Sequence, residues 1–124
     1  MPLLCTPLAY DDPLGVTAAF NLNLLVRANR GLDADFDLPA FAHRAIWNAD
    51  ASRIEMHLVS TRQQRVRVPA ADLDITFEAG ETIWTESSYK YRPDRIVAMV
   101  ERAGFVTTDQ WSEDSFALTL AAAR

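Results

Sequence analysis

Apolar residues in the first third of the chain recur at helical spacing. The recurring residues are Val16, Phe20, Leu24 and Ala28. Asp12 and Pro13 are a typical helix start, with the aspartate as N-cap and the proline at the first helical position. Gly31 can end this helix in a left-handed turn. A second start signal at Asp37 and Pro39 predicts only a short helix.

From residue 42 onward the spacing changes to the alternation that is typical of half-buried strands. The predicted strands are 53–60, 63–68, 72–77 and 82–91. The first two are interpreted as a hairpin around Thr61 and Arg62, and Gly80 is placed in the turn before the last strand.

The last third of the chain predicts one helix followed by one hairpin. Pro93 and Asp94 begin the helix and Gly104 ends it. The residues expected to be buried on this helix are Ile96, Val97, Val100 and Ala103. The hairpin joins 105–111 to 116–122 through residues 112–115. The whole pattern predicts a single α+β domain over residues 1–124, with a mostly antiparallel sheet and about three helices.

Composition narrows the classes of protein that fit. The 124 residues are 49% hydrophobic and 23% charged, which suits one soluble domain. The formal net charge of −5 provides no cationic surface for phosphates, so we expect no nucleic-acid partner. The apolar start of the chain has no basic residue before it and contains two prolines, so neither a signal peptide nor a membrane span is expected. The single cysteine, Cys5, suits a reducing compartment, and we expect a cytoplasmic protein.

Two sets of side chains were considered as metal ligands. Asp33, Asp35 and Asp37 have the spacing of a calcium loop, but Leu38 and Arg44 stand where such a loop needs glycine and glutamate. A polar loop that ends in an N-cap is the simpler interpretation. The two histidines at positions 43 and 57 fall in different strands with no cysteine nearby, so no metal site is expected.

Glu86 and Ser88 form the candidate binding site. A spacing of two residues places both side chains on one face of a strand, with Trp84 beside them. A carboxylate and a hydroxyl on one face can hold a ring with two nitrogens, one of which donates and one of which accepts, as in imidazole. By spacing alone, however, the polar outer face of a surface strand is the simpler interpretation.

The sequence has no signal for a nucleotide cofactor or for nucleophilic catalysis. Its four glycines stand singly, at positions 15, 31, 80 and 104, so there is no glycine-rich turn after a strand. No nucleophile, histidine and acid have a spacing that singles them out. We therefore assign no catalytic and no cofactor-binding residue.

Several stretches together resemble one family, the SAM-dependent histidine Nα-methyltransferases of ergothioneine biosynthesis. The stretches are AYDD at 9–12, GVTAAFNLNLL at 15–25, ANRGLDADFDL from 28, WN…RIEMHL over 47–58, AGETIWTESSYKY over 79–91, and the pair Trp111 and Phe116. The resemblance is collinear from about residue 9 to the end of the chain.

This resemblance implies that members of the family have two domains with different roles. A nucleotide-binding domain binds SAM, and a smaller domain recognises histidine, whose α-amino group is methylated to the trimethylammonium product. The resemblance implies that Tyr10 binds the substrate carboxylate, that Glu86 and Ser88 hold the imidazole ring, and that Met56 and Phe20 line the pocket. For Tyr10 the alternative is a turn residue packed on the first helix.

The SAM-binding motifs of the family lie upstream of the position that Tyr10 occupies, so we expect no SAM site in these 124 residues. Residues 9–91 then resemble the substrate-recognition portion, and 92–124 resemble the end of the nucleotide-binding sheet. The expected function is histidine recognition, with catalysis only if a separate SAM-binding chain is present. A non-catalytic binding module for an amino acid or another small ligand, or a ligand-free remnant that self-associates, are the alternatives. A homodimer is also expected, because the terminal hairpin has an apolar face, which is predicted to consist of Phe105, Val106, Trp111, Phe116, Leu118 and Leu120.

Overall fold

The computed structural model describes residues 6–124 and confirms the α+β class. Within these residues the helices are α1 (Thr6–Tyr10), α2 (Val16–Gly31) and α3 (Pro93–Arg102). The strands are β1 (Phe41–Asn48), β2 (Arg53–Ser60), β3 (Gln64–Val68), β4 (Leu73–Phe77), β5 (Thr82–Tyr89), β6 (Phe105–Glu113) and β7 (Phe116–Ala123). Two short 3-10 turns, Leu38–Ala40 and Pro69–Ala71, complete the described elements, and the first is the short helix expected after Asp37.

The described strands form three small antiparallel sheets rather than one. Their orders are β1-β2-β5, β3-β4 and β6-β7. The predicted hairpin between β2 and β3 is wrong, because β1 and β5 occupy both hydrogen-bonding edges of β2. After Ser60 the chain turns away from the sheet: the Thr61 N–H donates to the Ala40 carbonyl oxygen, and the Gly80 N–H donates to that of Ser60.

Helix α2 begins three residues later than the position of Pro13 predicts. Gly15, with φ of 70°, occupies the N-cap position, and the Asp12 carboxylate caps the helix from further back. Its oxygens accept hydrogen bonds from the backbone N–H groups of Val16 at 3.0 Å and Thr17 at 2.8 Å. At the other end Gly31 remains helical, and the left-handed residue is Asp33, with φ of 51°.

The capping role of Asp12 predicts a pH dependence of stability. The N–H groups of Thr17 and Val16 lower the pKa of Asp12 from 3.8 to about 2. Because the folded pKa lies below the unfolded one, this stabilisation is complete above about pH 4 and is lost as the pH falls through 2. In urea unfolding, D12A is expected to be less stable than the wild type at pH 6 and equally stable near pH 2. An equal difference at both pH values would contradict the capping role.

The core lies between α2, the β1-β2-β5 sheet and the β3-β4 hairpin. Its buried side chains are Leu25, Phe41, Leu58, Val66, Val68 and Phe77. The Phe41 ring contacts the Phe36 and Phe77 rings edge to face, with centroids 5.8 and 5.5 Å apart. Strand β2 is central, and Ile54, Met56 and Leu58 on one face of it are all buried.

Helix α2 faces the sheet with a different side from the one that the apolar pattern in the sequence predicts. Asn21 and Leu25 face the sheet and are buried. The apolar stripe found in the sequence is exposed instead: Val16 and Phe20 are 66% and 69% exposed, and Leu24 is 50% exposed. The side of α2 that carries Val16, Phe20 and Leu24 is therefore apolar and exposed.

Helix α3 packs on the terminal hairpin of β6 and β7. It begins at Pro93 and is followed by Gly104, whose φ is 93°, as predicted. Ile96, Val97 and Val100 are half-buried, but Ala103 is exposed, so its predicted burial is wrong. Among the described residues no helix combines the length and the apolar character needed to cross a membrane.

The face of the hairpin that points away from α3 is apolar and exposed. The Gln110 side chain donates to the Pro93 carbonyl oxygen, which shows which face α3 covers. The opposite face is here called the hairpin face. Its large apolar side chains are Val106, Trp111, Phe116, Leu118 and Leu120, each 44–65% exposed, and Asp109 and Glu113 share the face by their register. Phe105 was predicted to share this face, but its register opposite Ala123 places it on the other side.

Candidate functional site

A β-bulge determines which side chains of β5 face the candidate site. Strand β5 pairs with β2 so that Glu86 lies opposite Met56 and Trp84 lies opposite His57, with Thr85 as the extra residue. Residues directly opposite each other share a face, so Glu86 points to the side of Met56. Trp84 points to the other side, and the predicted position of Trp84 beside Glu86 is therefore wrong.

The face with Glu86 borders a cavity beneath α2. The cavity has a volume of about 610 Å³. Its lining residues are Phe20, Asn21, Asn23, Leu24, Arg27, Ala28, Leu32, Met56, Thr85 and Glu86. Met56 is 3% exposed and forms part of the floor, whereas Phe20 and Glu86 are exposed at the open side. Three of the five site residues implied by the resemblance therefore border one cavity.

The other two site residues, Tyr10 and Ser88, contact each other next to this cavity. Ser88 lies opposite Ile54 on the same face as Glu86, as the alternation in the sequence indicates. The Tyr10 Oη and Ser88 Oγ atoms are 2.7 Å apart, although the residues are 78 positions apart in sequence. Tyr10 belongs to α1, so it is a helix residue rather than the turn residue considered as its alternative.

A lysine that was not assigned to the site connects these two hydroxyl groups. Lys90 Nζ donates to Tyr10 Oη at 2.6 Å and to Ser88 Oγ at 2.8 Å. Its ammonium group also lies 4.5 Å from the centroid of the Tyr10 ring. The hydrogen bonds from Lys90, and to a smaller extent Ser88, lower the pKa of Tyr10. The signal for Lys90 was present in the sequence, because it stands two residues after Ser88 on the same face.

A second network fixes the backbone of Tyr10. Asn21 Nδ2 donates to the His57 carbonyl oxygen at 3.2 Å and to His43 Nδ1 at 2.9 Å. Since Nδ1 of His43 accepts, its proton is on Nε2, which donates to the Tyr10 carbonyl oxygen at 2.7 Å. Asn21 is only 3% exposed. No pattern in the sequence indicates this network, because an asparagine on a helix and a histidine on a strand are both ordinary residues.

The opposite face of the sheet contains a separate group of polar side chains. Glu55 accepts hydrogen bonds from Asn48 at 3.0 Å and Arg53 at 2.8 Å, which lower its pKa, and it also contacts His57 Nε2 at 3.2 Å. The Trp84 ring stacks on His57 and lies 4.4 Å from the Arg53 guanidinium. These contacts satisfy the charges within the group, so we assign it a structural role.

The acidic loop is tied to arginines rather than arranged around a cation. The Asp35 carboxylate accepts from the backbone N–H of Arg67 at 2.6 Å and from its Nε at 2.9 Å. Asp37 occupies the predicted N-cap position of the Leu38–Ala40 turn, but its carboxylate pairs with Arg62 at 2.8 Å instead of making a capping hydrogen bond. Across residues 6–124, no cluster of three or more histidine, cysteine, aspartate or glutamate side chains is arranged to hold a metal ion.

The described residues include one short link from a strand into an α-helix, and it lacks a glycine-rich turn. A nucleotide commonly binds where a glycine-rich turn joins a strand to the N-terminus of a helix. Among residues 6–124, the connection from β5 to α3 is the only short link from a strand into an α-helix. It contains Lys90, Tyr91 and Arg92 but no glycine, and Pro93 removes one N–H from the helix start. We therefore assign none of these residues to SAM.

Comparison with known proteins identifies the family of this chain. The profile of a family described as histidine-specific, SAM-dependent methyltransferases matches residues 7–124. The histidine N-alpha-methyltransferase of Mycolicibacterium smegmatis is 52% identical over 115 residues, which cover 91% of this chain and 36% of that protein. The protein of the same description from Mycobacterium tuberculosis is 50% identical over 116 residues, which cover 92% of this chain and 36% of that protein. This chain thus spans about a third of the length of these relatives, and by the family match it belongs to the histidine-specific, SAM-dependent methyltransferases.

Proposed function

We propose that this chain is the substrate-recognition portion of a methyltransferase that acts on the α-amino group of histidine. The observation that supports this proposal most directly is the single sheet face shared by Met56, Glu86 and Ser88, next to an open cavity. The names of the two mycobacterial relatives agree with histidine as the substrate. In this proposal the imidazole ring lies between Glu86 and Ser88, with Met56 beneath it and Phe20 at the open side.

The chemistry of the two polar groups matches one ring. A carboxylate only accepts hydrogen bonds, so Glu86 would take the ring N–H. The Ser88 hydroxyl would donate to the second ring nitrogen. An amino acid without these nitrogens would leave both groups unpaired in a partly desolvated site, and this is an effective way to reject it.

In this proposal the Tyr10 hydroxyl exchanges its hydrogen-bond partner when histidine binds. Its hydroxyl occupies the position next to Ser88 that the ring nitrogen would take. Binding would therefore replace the Tyr10–Ser88 hydrogen bond by one from Ser88 to the ring, and Tyr10 would donate its own proton to the substrate carboxylate. Lys90 contacts both hydroxyls and can retain both contacts throughout.

The contribution of this chain to methyl transfer would be positioning. Methyl transfer from a sulfonium requires an uncharged amine held in line with the methyl group. Anchoring the ring and the carboxylate at two points would fix the α-amino group between them. SAM would be bound by residues outside this chain's described part, in a longer polypeptide or in a separate cytoplasmic chain.

A calorimetric titration tests this function and separates it from its alternatives. We expect L-histidine to bind the chain and L-phenylalanine not to bind, whereas SAM alone should give no binding heat. A non-catalytic binding module for an amino acid or small ligand is the second candidate, and it is favoured if histidine binding is the same with and without the SAM-binding domain of a relative. Absence of histidine binding under both conditions would contradict recognition and leave the ligand-free remnant.

We further propose that the isolated chain forms a homodimer through the hairpin face. Burying an aromatic or leucine side chain contributes about 1.5–3 kcal/mol, and the five apolar side chains of this face are all largely exposed. Two identical copies can cover each other through a two-fold contact. The alternative partner for this face is a SAM-binding domain.

Light scattering at micromolar concentration tests the dimer. We expect a mass near twice 13.9 kDa for the wild type. Trp111 is 53% exposed in the middle of the hairpin face, so W111E should reduce the mass to that of a monomer. The matched control is A98E on the exposed side of α3, which adds the same charge away from the hairpin face and should remain dimeric. A wild-type mass near 13.9 kDa would rule out the dimer.

A further inference from the structure

We infer that Lys90 is a positioning residue that turns the hydroxyls of Ser88 and Tyr10 into hydrogen-bond donors, so that the site selects histidine with a neutral imidazole ring. This inference rests on the proposed function. It assigns a role to a side chain that lies outside the set implied by the family resemblance, and it adds the protonation state of the substrate to the description of the site.

The argument begins with the hydrogen-bonding capacity of the three groups. An ammonium group only donates, whereas a hydroxyl donates one hydrogen bond and can accept two. Lys90 Nζ is within 2.8 Å of both Ser88 Oγ and Tyr10 Oη, so each oxygen accepts from it. The proton of each hydroxyl must then point away from Lys90. Without a ligand, one of these protons lies in the Tyr10–Ser88 hydrogen bond, and the other is directed away from the cluster.

This arrangement determines what Ser88 can offer a ligand. If Lys90 donates to Ser88, the hydroxyl presents its proton to the ring nitrogen. Neutral imidazole has one N–H for Glu86 and one lone pair for Ser88, so both contacts are satisfied. Imidazolium has two N–H groups, and to accept the second one Ser88 would have to accept from two cations at once, Lys90 and the ring, which repel each other.

The charges around the ring also favour a neutral imidazole. The ionisable groups that face this site are Tyr10 from α1, Arg27 from α2, His43 from β1, Glu86 from β5, and Lys90 directly after β5. Both ring nitrogens of His43 are already within hydrogen-bond distance of Asn21 and the Tyr10 carbonyl oxygen. The cations Arg27 and Lys90 outnumber the single carboxylate, Glu86. A further positive charge on the ring is therefore disfavoured.

The test measures L-histidine affinity at pH 5.5 and pH 7.5. For the wild type we expect about tenfold weaker binding at pH 5.5, because only about a tenth of imidazole groups with pKa 6.5 are neutral at that pH. In K90M the Ser88 hydroxyl is free to accept, and one cation is removed. The affinities of K90M at the two pH values should then agree within about twofold. K90R retains the charge and the donors and should restore the tenfold dependence.

A ligand with a different ring provides a test that does not depend on any variant. 1,2,4-Triazolylalanine has a ring that is neutral at both pH values and retains an N–H and an acceptor nitrogen. The wild type should bind it equally well at pH 5.5 and 7.5. A tenfold loss at pH 5.5 would show that a protein group titrates instead, and this would overturn the inference.

The outcomes distinguish the inference from the proposed function. If the wild type binds histidine and K90M retains the tenfold pH dependence, Lys90 does not select the neutral ring and only the function stands. If the wild type does not bind histidine at pH 7.5, the proposed function fails and the role of Lys90 fails with it. A loss of melting temperature in K90M without a change in the pH ratio would indicate a purely structural lysine.

Discussion

Replacing Glu86 with alanine is expected to weaken histidine binding at least tenfold while leaving the melting temperature within about 2 °C of the wild type. The carboxylate is the proposed acceptor for the ring N–H, and a buried donor without a partner is costly. Glu86 itself is exposed and forms no ion pair with another residue of the described range 6–124, so its loss leaves the core and the described salt bridges intact. An exposed side chain of this kind contributes little to stability.

Two measurements complete this experiment. Calorimetry gives the affinity of E86A for L-histidine, and thermal unfolding monitored by circular dichroism gives its stability. The matched control is E101A on the outer side of α3, which removes the same charge at a distance from the cavity and should bind histidine as the wild type does. Unchanged affinity in E86A would exclude the carboxylate from the binding site.

Replacing Leu58 with alanine is expected to lower the free energy of unfolding by about 2–5 kcal/mol. Leu58 is fully buried in the middle of β2, where it contacts the core shared by α2, the sheet and the β3-β4 hairpin. Truncation removes apolar contacts and leaves a cavity that the surrounding strands can fill only in part. Because small domains are stable by only about 5–15 kcal/mol, this is a large fraction of the total.

The control for this change is the same substitution at an exposed position. Leu14 is 90% exposed, so L14A should change the free energy of unfolding by less than about 0.5 kcal/mol. Urea unfolding followed by tryptophan fluorescence measures both variants. A loss of less than about 1 kcal/mol in L58A would mean that the core described around β2 is not packed in solution.

Local patterns in the sequence were sufficient for most elements of the fold. Alternation identified β2 and β4, and the Pro93 and Gly104 signals marked the limits of α3 because capping and φ preferences act within a few residues. The predicted β2-β3 hairpin was wrong because strand pairing depends on residues far apart in the sequence. Whether a strand pairs with its neighbour depends on which other strands occupy its edges, and β5 follows only after the whole β3-β4 hairpin.

The binding site was predictable only in part. Glu86 and Ser88 were found because they are two residues apart on one strand. The contacts of Tyr10 with Ser88, and of His43 with the Tyr10 backbone, join residues 78 and 33 positions apart, and no periodicity reports such contacts. The position of Trp84 was wrong because a bulge adds one residue to a strand without any sign in the pattern of polar and apolar residues.

The extra residue at Thr85 divides β5 into one segment that packs on the core and one that faces the cavity. Before it, Ile83 lies opposite Leu58 and packs on the core. After it, Glu86 and Ser88 occupy the same sheet face at the cavity, which a regular strand could not combine with Ile83. Under the proposed function, the ligand could therefore be changed by substitutions at 86 and 88 without repacking the interior.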